Sequence, residues 1–292
     1  MFPPQFDYRR PENLEEALEA VAADDAVALA GGHDLVPKLK QRETNPGTVV
    51  DLAGLDGLRG VGSGQNEVEV GALTTYAAML DTAPKGVDAL LDATGEVGDT
   101  QIRNRGTVGG NLAAAHPASD IPAAALALDA TLHLTGPGGV RSLPTEAFYG
   151  DDGETVCGDD ELLTELTVPQ AAGDGSAYAR KTHPSTGYAA VGVAARLCLD
   201  SMGISEARVA VTGLLDSPAR LESVERALVG AGATDEEFSE ATARAGEAFD
   251  ESGVRSDHLV SADQRLRLLP VYAEKAISQA LDRAVDRTGV SA

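Results

Sequence analysis

Lysine, cysteine and tryptophan are the scarce residues of this 292-residue chain, and each scarcity narrows the function classes open to it. Only five of the 23 basic residues are lysine (Lys38, Lys40, Lys85, Lys181, Lys275), against 46 acidic residues, for a net charge of −23. Such a field repels nucleic acid and anionic membranes, so neither is expected as a partner. Cys157 and Cys198 are the only cysteines, and no CxxC is present. An iron–sulfur cluster needs about four thiolates, so this chain cannot hold one alone; two unpaired thiols in a reducing compartment are expected. Tryptophan is absent and aromatics make up 4%, lean but sufficient for a core when 43% of residues are hydrophobic. The longest apolar stretch, around Ala123 to Ala130, is far too short to span a bilayer. Met1 to Arg10 carries no apolar segment behind a basic start, so no secretory leader is expected and the cytoplasm is the default compartment.

The acidity points to the solvent more than to a substrate. Self-repulsion destabilises a compact chain of this charge at low salt, and in molar salt, with a Debye length of about 3 Å, that cost largely disappears. The composition reads as adaptation to a salt-rich cytoplasm, with an ordinary acidic mesophilic protein as the alternative.

What is present is a regular succession of elements. Pro11 to Ala23 reads as a helix opened by Pro11, with Leu14, Ala17, Leu18 and Val21 on one face. Val27–Ala30 and Val49–Leu52 read as strands, and Leu58–Val61 with Val68–Ala72 as a hairpin around Ser63-Gly64-Gln65-Asn66. Thr74 or Thr75 caps a helix from Tyr76, another helix covers Gly86–Thr94, and an irregular segment runs from Gly95 to Asn111. A helix over Ile121–Leu128, a hairpin of Thr131–Leu134 and Val140–Leu143, and a strand at Leu162–Val168 complete this half. Pro169–Gly175 has linker composition, dividing the chain into domains 1–172 and 173–292. Beyond it, strands at Ser176–Arg180, Ala189–Leu199 and Ala207–Leu214 precede helices at Leu221–Val229, Asp235–Ala248 and Ala262–Val285. Strands followed by helices imply an α+β domain with helices on one face of a small antiparallel sheet.

Two glycine pairs carry the candidate chemistry: Ala30-Gly31-Gly32-His33-Asp34 and Thr107-Val108-Gly109-Gly110-Asn111. Glycine lets backbone N–H groups approach a phosphate and adopt the positive φ of an anion-binding concavity. In so acidic a chain a pyrophosphate needs local donors of this kind, with Arg103 and Arg105 adding charge and Thr107 and Asn111 adding polar contacts. Neither pair has the Rossmann or Walker spacing, and Gly60-Val61-Gly62-Ser63-Gly64 reads as hairpin turn. A rival from another class is a metal-dependent hydrolase with His33, Asp34, His116 and Asp120 as ligands. Other readings stay open at single positions: Asp120 as a helix cap, Arg180 and Lys181 as solvated strand-edge charges, Tyr188 as core. His133, His183 and His258 show no constellation.

Together AGGHDLVPKLK (Ala30–Lys40), VGALTTYAAM (Val70–Met79), QIRNRGTVGGNLAAAHPASDIPAAALALDA (Gln101–Ala130), ELLTELTVP (Glu161–Pro169) and AYARKTHPSTGYAAVGVAARL (Ala177–Leu197) resemble the FAD-binding medium subunit of molybdopterin hydroxylases, of the carbon monoxide dehydrogenase and xanthine dehydrogenase type. The resemblance implies a PCMH-type FAD-binding domain of two α/β subdomains and a separate flavoprotein C-terminal domain. It implies that Ala30, Gly31, Gly32, His33, Asp34 and Leu35, with Thr107, Gly109, Gly110 and Asn111, line the pyrophosphate. Asp120 then binds the sugar portion of FAD, Leu163 lies against the isoalloxazine, Arg180 takes the place of a lysine near the flavin, and Tyr188 packs by the ring. Gly187 departs from the acidic residue usual before this tyrosine, and Pro184 and Ser185 replace more basic neighbours. The implied partners are a molybdopterin-binding large subunit and a small subunit with [2Fe–2S] clusters, passing electrons through FAD to an acceptor. No catalytic acid–base pair and no metal is expected on this chain. The reducing substrate is left open among carbon monoxide, a purine, an aldehyde and an aromatic acyl-CoA. A stand-alone PCMH flavin oxidase and a module that has lost its flavin are the remaining alternatives.

Overall fold

The computed structural model describes residues 2–150, 152–170, 174–201, 203–231, 234–243 and 245–288. Among these residues three sheets are built in chain order. The first is parallel, with β1 (Asp7–Arg9), β2 (Ala26–Leu29) and β3 (Thr48–Asp51) in the order β1-β3-β2. Its helices are α1 (Leu14–Val21) and α2 (Leu35–Gln41). The predicted opening at Pro11 is corrected: Asn13 is the N-cap, its side chain accepting from the Glu16 amide, while Glu16 accepts from the Glu12 amide. That reciprocal capping satisfies orphan N–H groups that a proline at the first position cannot. Ala17, Ala20 and Val21 then pack with Val50, Leu52, Leu55 and Leu73 in a small core.

The second sheet is antiparallel, order β4-β5-β8-β6-β7, from β4 (Val61–Ser63), β5 (Glu67–Gly71), β6 (Thr131–Gly136), β7 (Gly139–Pro144) and β8 (Leu162–Pro169). Five helices accompany it: α3 (Tyr76–Thr82), α4 (Asp88–Glu96), α5 (Thr100–Arg103), α6 (Val108–Ala113) and α7 (Asp120–Ala127). Thr75 rather than Thr74 caps α3, because the Thr74 hydroxyl is taken by the Gly60 backbone. The segment read as irregular, Gly95–Asn111, contains α5 and most of α6, each started by a side-chain cap from Asp99 and Thr107. Every residue of α7 is buried, which accounts for the apolar stretch in the sequence: its alanines let the helix pack closely between the third sheet and helices α4 and α6.

The third sheet is antiparallel, order β12-β11-β10-β9, from β9 (Gly175–Thr182), β10 (Ala189–Asp200), β11 (Gly203–Thr212) and β12 (Ala219–Arg220). Helices α8 (Glu222–Leu228), α9 (Asp235–Ala243) and α10 (Ala262–Thr288) build a second large core on one face of it. This is the α+β arrangement expected. Residues 171–173 of the expected linker lie outside the described residues. The two halves are joined by ion pairs, Arg283 with Asp92 and Arg287 with Asp88, and by the segment His116–Asp120, whose Pro117 and Ala118 carbonyls accept from the Gly213 and Ala189 amides.

Candidate functional site

The chain leaves β2 at Leu29 and turns through Ala30-Gly31-Gly32 into α2. Gly32 takes φ +80°, the left-handed conformation that L side chains rarely adopt. Gly31 is glycine for another reason: a Cβ there would overlap the Arg105 carbonyl oxygen and lie 2.8 Å from the Gly106 Cα. The two glycine loops therefore touch through their backbones. Among the described residues, the N–H groups of Gly31, Gly32, His33 and Asp34 donate to no protein acceptor. Four consecutive amides in one accessible turn, with no protein acceptor, are available to donate to an anionic ligand.

The second loop is built differently, and this corrects the expectation that both glycine pairs work by positive φ and free N–H groups. Gly109 and Gly110 are helical, within α6. The Val108 and Gly109 amides donate to Thr74 and Ala72 carbonyls, Gly110 to the Thr107 hydroxyl and Asn111 to the Thr107 carbonyl. Gly109 is small because a Cβ would lie 2.7 Å from the Ala72 Cα, at the end of β5. A Cβ on Gly110 would lie 2.6 Å from Thr107 Oγ1 and 3.3 Å from the Ala30 Cβ, facing the first loop. What this loop offers is the Asn111 side chain, whose Oδ1 is buried with no hydrogen-bond partner, beside the Tyr76 phenol. Arg103 is not available either, since its guanidinium closes onto the carbonyls of Gly95, Val97 and Gly98. Arg105 is exposed and its side chain makes no hydrogen bond or ion pair among the described residues, so it remains a free cation at the loop contact.

The third side lies where the two halves meet. Asp120 lies in the first turn of α7, where Ser119 is the N-cap, so the helix-cap reading of Asp120 is set aside. Its carboxylate is 2% exposed and accepts from Arg180 Nη1 at 2.9 and 3.1 Å and from the Tyr178 hydroxyl at 2.5 Å. Burial lifts the Asp120 carboxyl to about 6, with Arg180 and Tyr178 opposing. Burial also works against the Arg180 charge, but Asp120, Tyr178 and Glu96 outweigh it. Arg180 completes its contacts with the Glu96 carboxylate and carbonyl, so it is neither solvated nor a free edge charge. Tyr178 was missed by the sequence reading; its two-residue spacing from Arg180 on β9 places both on one face, a signal that was available. Tyr188 stacks on His116, ring centroids 4.1 Å apart and planes at 19°. His116 Nδ1 accepts from the Ala118 amide, and burial holds the imidazole below its ordinary pKa. Leu163 is 8% exposed and belongs to the main core, in one cluster with Val108, Leu112 and Tyr178.

The hydrolase alternative fails on geometry. His33 is exposed, Asp34 pairs with Lys38 at 2.7 Å, Asp120 is held by Arg180 and Tyr178, and His116 stacks on Tyr188, so the four do not gather as one ligand set. No three His, Cys, Asp or Glu side chains converge as metal ligands among the described residues. By contrast, the turn of unsatisfied amides, the orphaned Asn111 Oδ1 and the contact between the glycine loops fit a dinucleotide with its pyrophosphate at the first loop.

Comparison with known proteins agrees with this chemistry. Residues 4–171 match the family model of the FAD binding domain in molybdopterin dehydrogenase, and residues 176–280 that of the CO dehydrogenase flavoprotein C-terminal domain. The glyceraldehyde dehydrogenase medium chain of Sulfolobus acidocaldarius is 33% identical over 282 residues, covering 96% of this chain and 99% of that one. The carbon monoxide dehydrogenase medium chain of Hydrogenophaga pseudoflava is 32% identical over 241 residues, 81% of this chain and 84% of its own. In the solved carbon monoxide dehydrogenase of the same organism, a chain superposes with a TM-score of 0.90 at 31% identity, covering 97% of this chain and 99% of that one. The cofactor is FAD, and the chain belongs to the FAD-binding medium subunits of the molybdenum hydroxylase family, the oxidoreductases of carbon monoxide dehydrogenase and xanthine dehydrogenase type.

Proposed function

We propose that this chain relays electrons within a hetero-oligomer, receiving them from [2Fe–2S] clusters on a small partner subunit and delivering them to an acceptor. The clusters are fed in turn by a molybdopterin-binding large subunit where substrate is oxidised. Bound FAD supplies the exchange of one or two electrons that joins one-electron clusters to a two-electron acceptor. The division of labour within the chain is a FAD-binding domain over 1–172 and a closing domain over 173–292. The Gly31–Asp34 amides hold the pyrophosphate, with Ala30 and Leu35 flanking them, while Thr107, Gly109 and Gly110 shape the opposing wall and Asn111 reaches in. Asp120, oriented by Arg180 and Tyr178, faces the sugar; Leu163 and Tyr188 border the ring. A salt-rich cytoplasm is the setting proposed for so acidic a surface.

The observation that carries this reading is the run of four unsatisfied backbone donors in a chain of net charge −23. Phosphate binding there has to come from local dipoles, because the overall field opposes it. The relay predicts that dithionite bleaches the flavin of the isolated subunit, while carbon monoxide, a purine and an aldehyde do not. Rapid bleaching by one of those substrates with no other subunit present would overturn it. Attachment is non-covalent in this reading: acid precipitation is expected to leave all flavin in the supernatant as FAD, and flavin in the pellet refutes that.

A further inference from the structure

We propose that His183, Asp257 and Arg265 form a positioning relay that holds the β9–β10 hairpin, and with it the ring of Tyr188, in place beside the flavin site. The inference rests on the reading that Tyr188 borders the flavin.

The hairpin is short and has little to fix it by itself. It runs Thr182-His183-Pro184-Ser185-Thr186-Gly187-Tyr188, reversing at Gly187 with φ +75°. Its closing bonds are the His183 amide to the Tyr188 carbonyl at 2.8 Å and the Gly187 amide to the His183 carbonyl at 3.2 Å. Against this exposed turn, the His183 side chain is turned inward and 8% exposed. Its Nδ1 lies 3.3 Å from the amides of both Ser185 and Thr186. Amide N–H groups only donate, so Nδ1 is the acceptor and the ring proton sits on Nε2.

That proton faces Asp257 Oδ1 at 3.3 Å, in the loop preceding α10 and 74 residues further along the chain. Asp257 is itself held rigidly. Oδ1 also accepts from the Leu259 and Val260 amides at 2.8 and 3.0 Å, and Oδ2 from Arg265 Nη2 at 2.7 Å. Burial acts to raise this carboxyl, but its donors prevail and hold it well below the ordinary carboxylate range. It is therefore an anion throughout the working range and fixes the tautomer of His183. Arg265, 4% exposed, anchors the far end: its Nη1 donates to the Ala190 carbonyl at 2.5 Å and the Gly213 carbonyl at 2.9 Å. Ala190 follows Tyr188 by two residues on β10, and Gly213 follows β11. One guanidinium thus ties the strand leaving the hairpin to the carboxylate that orients the hairpin's histidine. A turn that only closed a sheet would need no hydrogen-bonded chain drawn from three separate segments, with His183 and Arg265 buried at its two ends and Asp257 joining them nearer the surface. Here the chain ends on the one hairpin whose aromatic residue stacks against His116 of the glycine-rich half.

The test uses the full chain loaded with FAD and the variants His183→Ala, Asp257→Asn, Tyr188→Leu and His183→Ala/Tyr188→Leu. Amide exchange is followed for His183 and residues 185–188, and the flavin by its visible circular dichroism and midpoint potential. Loss of the histidine acceptor is expected to speed exchange at Ser185 and Thr186 by about tenfold. Asp257→Asn, which keeps the fold's shape, is expected to move exchange in the same direction. The flavin signals should shift in His183→Ala as in Tyr188→Leu, with no further shift in the double variant. Unchanged exchange in both His183→Ala and Asp257→Asn would overturn the relay. An equal flavin shift from His183→Ala with and without Tyr188 would overturn its action through that ring. A flavin signal indifferent to Tyr188→Leu would instead overturn the placement of Tyr188, with exchange still deciding whether the relay exists.

Discussion

Replacing Arg180 by methionine separates an electrostatic role for the Asp120–Arg180 pair from simple packing. The pair is almost completely withdrawn from solvent, with side chains 7% and 3% exposed, and bonded through two contacts. Burial already lifts Asp120 to about 6 from an ordinary value of 3.8, so the folded state holds its proton more tightly than the unfolded state. The sign follows: Asp120 contributes most below about pH 4, and the contribution, roughly 3 kcal/mol across the window, is lost as pH rises through 6. Without Arg180 the folded carboxyl rises further, and at pH 8 the variant must bury either an unpaired anion or a proton taken up against the solvent pH. Removing one partner of a buried pair costs about 3–5 kcal/mol. At pH 5 the carboxyl is largely protonated in both proteins, and only the lost hydrogen bonds to Asp120 and Glu96 remain, about 1 kcal/mol. Urea unfolding of the apoprotein at pH 5 and pH 8, in fixed molar KCl, reads the difference. A deficit of equal size at both pH values would refute the argument. Glu96→Gln serves as the control, since that partner is half exposed and its removal should cost under about 1 kcal/mol at either pH.

Three further outcomes are expected. Gly110→Val forces side-chain atoms into the space between Thr107 Oγ1 and the Ala30 Cβ, so it should abolish FAD binding while the C-terminal domain stays folded; a full complement of FAD in the purified variant refutes this. Gly31→Ala should be as damaging, because the obstruction is the Arg105 and Gly106 backbone, which cannot rotate away, and wild-type flavin affinity by titration would sink the loop-contact argument. With 46 acidic residues against 23 basic, the melting temperature should rise steeply from low to molar KCl, and a flat profile would show that the acidic surface is no adaptation to salt.

Much of the architecture was legible in the chain because it depends on local patterning. The β6–β7 hairpin was found within two residues of its ends from Gly136-Pro137-Gly138-Gly139, a turn that few other conformations suit. Helix α10 and the three long strands of the third sheet were read from their apolar runs, while the two-residue β12 was not. Failures fell where side-chain caps overrode residue propensity. Asn13 moved the start of α1, and Asp99 and Thr107 made helices of a stretch with no apolar period.

The sequence by itself determined the family, the cofactor and the two glycine loops, since those reside in contiguous residues whose order folding does not change. Only the tertiary structure decided how each loop works. Gly31, Gly109 and Gly110 are small because backbone or side chains from Arg105, Ala72 and Thr107 press against them, and no local pattern reveals what will lie opposite. The same holds for charge. Arg180 reads as a strand-edge cation until β9 folds against α4 and α7, which bring Glu96 and Asp120 to it across 84 and 60 residues. His183 reads as isolated until the loop before α10 returns with Asp257. Pairings at such separations are set by sheet register and helix packing, which are properties of the assembled cores and of no single segment.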